Sequence, residues 1–229
     1  MQLIISDYLR YAFMNDSLKH TAYVATTIAL AISFVYPAIE PVIAHAASAN
    51  DSVTVTQAVT AGIAITSPSD ITMTALTTSQ NTAVGSAAWT VTTNNQAGYK
   101  LELHASNDPA LVQVSPAESF TDYSEGTPGT PETWSVSSAY EFGFSARGTD
   151  VSAGTWGTDT DCLNTADVPS ATLKWRGFDG TNNIQVATAA TETTTSGTAS
   201  TMCVATQQAG VFAPSGSYTA TITATATTL

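Results

Sequence analysis

Between Ala88 and His104 the side chains alternate so strictly that only extended chain sorts them. Trp89, Val91 and Thr93 interleave with Thr90 and Thr92. After Asn94–Gly98, Tyr99, Leu101 and Leu103 interleave with Lys100, Glu102 and His104. Successive side chains of a strand point to opposite faces, so each half carries one apolar and one polar face. The break between them holds Asn94, Asn95 and Gly98, residues that tolerate positive φ and close tight turns. This stretch predicts a β-hairpin laid on a core.

Most later segments repeat the pattern. Tyr140, Phe142 and Phe144 put three aromatics on one face, and Met202 with Val204 marks another strand. Leu173 and Trp175 predict a strand over residues 171–176, which turns at Phe178–Thr181 and returns through Ile184 and Val186. Tyr218 to Thr228 alternates threonine with Tyr, Ala or Ile. Two long irregular stretches, 115–132 and 147–170, and a Thr/Ser loop at 191–198 separate these runs. No helical stretch stands out after residue 46. About ten short strands spaced by turn signals predict an all-β chain folded as a β-sandwich with two long loops. One domain over residues 47–229 is preferred to a split near Gly126–Pro131, because neither half holds enough large apolar residues to close alone.

The N-terminal region reads differently. Arg10 and Lys19 precede an apolar run from Ala22 to Tyr36, and the small-x-small sites Ala44-His45-Ala46 and Ala47-Ser48-Ala49 follow. A basic start, an apolar middle and an A-x-A site predict a cleaved export signal over residues 1–46. The rival is a retained anchor, since Thr21–Ile39 approaches the ~20 apolar residues of a span; Pro37 cuts that run short. With 18 Asp and Glu against 6 Lys and Arg, the net charge is −12. Such a surface repels phosphates and anionic headgroups, which argues against nucleic acid and, once the signal is removed, against membrane. Export together with two cysteines, Cys162 and Cys203, predicts one disulfide; two separate buried thiols are the alternative.

Few residues suggest chemistry. His104 is the only histidine after the signal, at a strand end beside Lys100 and Glu102, and it lacks the motif context of a catalytic device. Glu102, Glu118, Glu132 and Glu141 are the carboxylates that a sandwich cleft could pair for glycoside hydrolysis. Asp159, Asp161 and Asp167 alternate with other residues like oxygen ligands of a structural calcium ion, although the glycine of an EF-hand loop is missing. No other cofactor is indicated. Lys100 and Lys174, in expected strands, are candidates for isopeptide crosslinks. Trp89, Trp134 and Trp175 occupy core positions, whereas Trp156 falls in a loop and is the candidate platform for a sugar ring. Asn50-Asp51-Ser52 is a glycosylation sequon. The chain reads as a non-enzyme.

From Pro214 through Tyr218 and Ile222 to Thr225 the chain resembles the closing strand of secreted bacterial β-sandwich subunits, of which the spore-coat-U-like pilins are similar in several further respects. The export signal, the Thr-rich alternating body, the scarcity of lysine and the cysteine pair extend the likeness. The chain also resembles cell-wall WxL domains, but it holds no Trp-x-Leu; Trp89-Thr-Val and Trp134-Ser-Val are nearest. The pilin resemblance implies an incomplete immunoglobulin-like sandwich completed by a neighbour's strand. Independently of that likeness, Ser52–Thr60 is long enough to pair along a sheet edge, with Val53, Val55 and Val59 to fill pockets. It is either donated to a neighbour or the first strand of its own sheet. The expectation is an extracellular or cell-surface structural subunit, a homo-oligomer or polymer forming a filament or coat through edge strands. Tyr218 and Ile222 stand on the closing edge. The alternative is a secreted adhesin that binds surface glycans through loops 115–132 and 147–170 around Trp156.

Overall fold

The computed structural model describes residues 25, 49–115, 117–136, 139–180 and 182–229. The expected export signal over residues 1–46 lies, residue 25 apart, outside them. The chain divides into two units, 1–57 and 58–229. The strands belong to the second. They begin with β1 (Ile63–Ile65), β2 (Thr82–Thr93), β3 (Tyr99–Ala105) and β4 (Val112–Gln113). Next come β5 (Glu118–Ser119), β6 (Thr121–Asp122), β7 (Tyr140–Gly148) and the four-residue helix α1 (Ala153–Trp156). The chain continues with β8 (Leu163–Thr165), β9 (Val168–Pro169), β10 (Ile184–Ala189), β11 (Thr198–Gln208) and β12 (Ile222–Thr228).

Five of these strands form one sheet in the order β1-β2-β11-β7-β6, and three form a second in the order β10-β3-β12. Every pairing is antiparallel except β6 with β7. The sheets share one core. Trp89 and Val91 of β2, Phe142 and Phe144 of β7 and Met202 and Val204 of β11 meet Tyr99, Leu101 and Leu103 of β3 and Ile184 and Val186 of β10. Burying each large apolar side chain of this set is worth roughly 1.5–3 kcal/mol. The chain is an all-β sandwich.

The organising stretch behaves differently from its sequence pattern. β2 and β3 do not pair as a hairpin: β2 lies in the five-stranded sheet and β3 in the three-stranded one. Asn94–Gly98 carries the chain across the sandwich, closed by the Gly98 N–H donating to the Asn95 carbonyl at 2.9 Å. Gly98 has φ 84°, and a Cβ there would lie 2.0 Å from the Ala189 carbonyl oxygen of β10. Only glycine fits this crossing. Period two fixes which face of each strand is apolar but not which strand bonds to it, so two facing sheets satisfy the pattern as well as a hairpin does.

A second difference concerns residues 171–176. They form no strand; isolated bridges join Leu173 to Gly157, Trp175 to Glu132 and Arg176 to Phe144. β10, expected as the return of a hairpin with this segment, pairs with β3 instead. Leu173 and Trp175 alternate inward because the segment packs on the outer face of the five-stranded sheet. There Cys203 and Ala205 of β11 meet Tyr123, Cys162, Leu173 and Trp175, flanked by Val84 and Trp134. β11 is thus apolar on both faces, which explains its continuous Met202-Cys-Val-Ala205 run. A disulfide joins Cys162 to Cys203, with Cα atoms 5.5 Å apart. It ties the long irregular stretch to the middle strand of the sheet.

Candidate functional site

β12 is the last strand of its sheet. Its register with β3 runs from Ile222 opposite Ala105 to Thr228 opposite Tyr99. Just outside the strand, the Thr221 carbonyl accepts from the Ser106 N–H at 2.9 Å and the Leu229 N–H donates to the Gly98 carbonyl at 3.2 Å. Bonding alternates along an antiparallel pair, so the odd-numbered residues face β3. Ile222, Ala224, Ala226 and Thr228 therefore turn their backbone N–H and C=O groups to the outer edge. Their neighbours Thr223, Thr225 and Thr227 hold their side chains in solvent, while Ile222, Ala224 and Ala226 rest half-buried on the core.

Nothing in β12 blunts that edge: it holds no Lys, Arg or Pro and carries no bulge. The opposite edge of the same sheet is managed. β10 is irregular between Gln185 and Ala187, and its Thr188 N–H donates to the Asp150 carbonyl at 2.9 Å. Tyr218, expected on the closing edge, precedes β12; its ring meets Phe120 edge-on at 5.0 Å and its hydroxyl donates to the Pro214 carbonyl.

Residues 49–62 form no strand, so Ser52–Thr60 is not the first strand of the chain's own sheets. Val53, Val55 and Val59 are 87, 86 and 79 % exposed. The segment is held where it reaches the sandwich. Asn94 accepts from the Gly62 N–H at 2.7 Å and donates to the Thr60 carbonyl at 2.9 Å, while the Thr93 hydroxyl donates to the Gly62 carbonyl at 2.8 Å. Val59, Ala61, Asn94, Asn95 and Gln96 line a shallow hollow beside this clamp.

Other candidates take structural positions. Trp156, expected as an exposed platform, is 2 % exposed, its ring packed on Phe144 at 5.3 Å. α1 turns it inward, where the core gains a large apolar surface. The three loop aspartates are not brought together, and the described residues contain no group of three metal-ligating acids, histidines or cysteines. Asp159 instead accepts from the Ser170 and Thr172 hydroxyls, bonds that hold its carboxyl below the usual range. Asp161 caps the Cys162 N–H at 2.7 Å and Asp167 accepts from the Thr74 hydroxyl at 2.9 Å. Lys100 pairs with Glu102 at 2.9 Å, and the Lys174 ammonium donates to the Gly154 carbonyl. Glu102 and Glu141 sit in different sheets, and Glu132 bonds the Gly126 N–H at 3.0 Å.

Asp122 was not legible as unusual. Burial pushes its carboxyl up to about 6, opposed by the Ala110 N–H donating to both oxygens at 3.1 and 3.2 Å and assisted by the charge of Asp108. The folded chain keeps this proton between about pH 4 and 6 while the unfolded chain loses it, so stability falls as pH rises through that window. Asp122→Asn should flatten this part of the pH–Tm profile and remove about 1–2 kcal/mol of pH dependence, discounted for solvent screening. An unchanged profile would refute the assignment.

A scan of protein-family models and searches of curated proteins and solved structures found no match to this chain. Among the described residues, no helix is long and apolar enough to cross a membrane. The disulfide is compatible with an oxidising, extracellular setting.

Proposed function

We propose that this protein is a structural subunit of an extracellular filament or surface coat, assembling by addition of a β-strand from one subunit to a sheet edge of the next. The observation that carries this reading is the coexistence of an exposed, valine-bearing segment outside the chain's own sheets with an unblunted edge strand, β12. In a solitary protein both features invite aggregation; in an assembling one they are complementary, since backbone pairing supplies affinity and alternate side chains supply register. The adhesin alternative, through loops 115–132 and 147–170, is less supported because its one aromatic platform, Trp156, is buried.

Deleting residues 50–60 from the full chain tests the reading. The expected result is loss of filaments by negative-stain microscopy and a folded monomer by light scattering and circular dichroism. Filaments from the deletion variant would defeat the proposal.

A further inference from the structure

We propose that the outer edge of β12 accepts the Ser52–Thr60 segment of a second copy of this chain, antiparallel, with that segment entering over an apolar end formed by Val114, Val211 and Phe212. This rests on the strand-addition reading and adds which edge accepts, in which direction, and where the neighbour arrives.

Chain direction gives the polarity. β2 runs toward the Asn94–Gly98 turn and β12, antiparallel to β3, runs toward it too. The Thr60–Gly62 clamp sits at this turn end, as does Leu229, whose carbonyl accepts from the Asn95 side chain at 2.9 Å. The 209–221 connection, from the end of β11 to the start of β12, lies at the far end. Val112 bridges Thr219 there, which brings Val114 to the same end as Val211 and Phe212. These three are 87, 59 and 58 % exposed, among the largest apolar exposures outside the segment itself. They lie in turn-rich sequence where apolar residues have no local reason to be.

When two copies stack with the turn end of one against the far end of the next, a segment continuing past the clamp passes the apolar end first. It then runs beside β12, and the two chain directions are opposed, the arrangement an antiparallel ladder needs. Nine extended residues reach about 30 Å and a seven-residue strand about 23 Å, so the segment covers β12 with length left to cross between copies. Val53, Val55 and Val59 share one face and come alongside Ile222, Ala224 and Ala226, where the core is only half covered. Gln57 falls on that face as well, and a polar group in an apolar row makes one register better than a two-residue slip. The other edges suit this less. β10 is bulged and bonded to Asp150, β1 and β6 are only three and two residues long, and beyond β1 the Thr90 carbonyl of β2 already accepts from the Thr66 N–H at 3.0 Å. Two different surfaces meeting in this way are head-to-tail rather than self-complementary, and copies stacked end over end along one axis propagate as an open filament.

A complementation experiment decides it. Ala224→Pro removes an outward N–H, a position at which an edge strand tolerates proline, and leaves the bonds to β3. The deletion of residues 50–60 keeps the edge but lacks the segment. Each variant alone is expected to stay monomeric, and their mixture to give a one-to-one heterodimer by native mass spectrometry. If the deletion is monomeric but Ala224→Pro polymerises like wild type, or the mixture gives no complex, this edge assignment falls and strand addition survives. If the deletion variant polymerises, both fall. Should circular dichroism show Ala224→Pro unfolded, Phe212→Ser on the exposed end decides: about tenfold weaker assembly is expected, and unchanged assembly overturns the entry route.

Discussion

Removing the Cys162–Cys203 bond is expected to lower stability by about 4 kcal/mol. The residues are 41 apart in sequence, and in the chain-entropy model closing a loop of that size restricts the unfolded chain by about this amount. In a domain of this length the loss corresponds to a fall in Tm of roughly 8–16 °C. The effect should be uneven. Cys203 sits in the middle of β11, held on both sides by β2 and β7, while Cys162 belongs to the irregular layer on the sheet's outer face. Cys162→Ser with Cys203→Ser should therefore loosen residues 157–176 first, visible as faster amide exchange there than in β2, β7 or β11. Thermal melts with and without reductant measure the total. A shift under about 2 °C after complete reduction would show that the outer layer holds by packing alone.

How much of this was readable beforehand depends on what period two encodes. It encodes facing, so the buried and less buried sides of β2 and β3 follow directly from Trp89 and Leu101; β7 departs from this, because residues 141–146 are buried on both faces of the sheet. It does not encode partners. Asn94–Gly98 looks like a hairpin turn because the same residues close a hairpin or cross between sheets, and the close approach of Ala189 to Gly98 is a long-range fact. Residues 171–176 alternate like a strand because they pack against β11, with no ladder beside them. The cysteine pair was readable from count and context.

The candidate edge was half readable. Its threonines and alanines predicted an edge strand, but only the pairing of the odd-numbered residues with β3 shows which backbone groups remain outward. Val53, Val55 and Val59 were visible as a row, their exposure was not. Trp156 failed for a plain reason: a loop position says nothing about direction, and a single helical turn sends the ring into the core. Val114, Val211 and Phe212 carried no signal beyond being apolar in polar surroundings.

Trp175→Ala should be the most costly single truncation, with a loss of about 3–5 kcal/mol. The side chain is fully buried; its indole N–H donates to the Ser170 carbonyl at 3.1 Å, and its ring meets Trp134 edge-on at 5.4 Å. Its backbone bridges Glu132, and Tyr123 stacks on Trp134 at 4.7 Å, so one ring supports two irregular segments at once. Because Trp175 and the disulfide belong to the same cluster, their effects should not add. A double-mutant cycle combining Trp175→Ala with loss of both cysteines is expected to show a coupling of about 0.5–3 kcal/mol, the second change costing less once the first has freed the layer. Strict additivity would mean that the bond and the ring stabilise separate regions, against the geometry of the cluster. The same variant separates folding from assembly. β12 lies in the other sheet, so Trp175→Ala should still form filaments at temperatures where circular dichroism shows it folded, whereas Ala224→Pro should fold and fail to assemble.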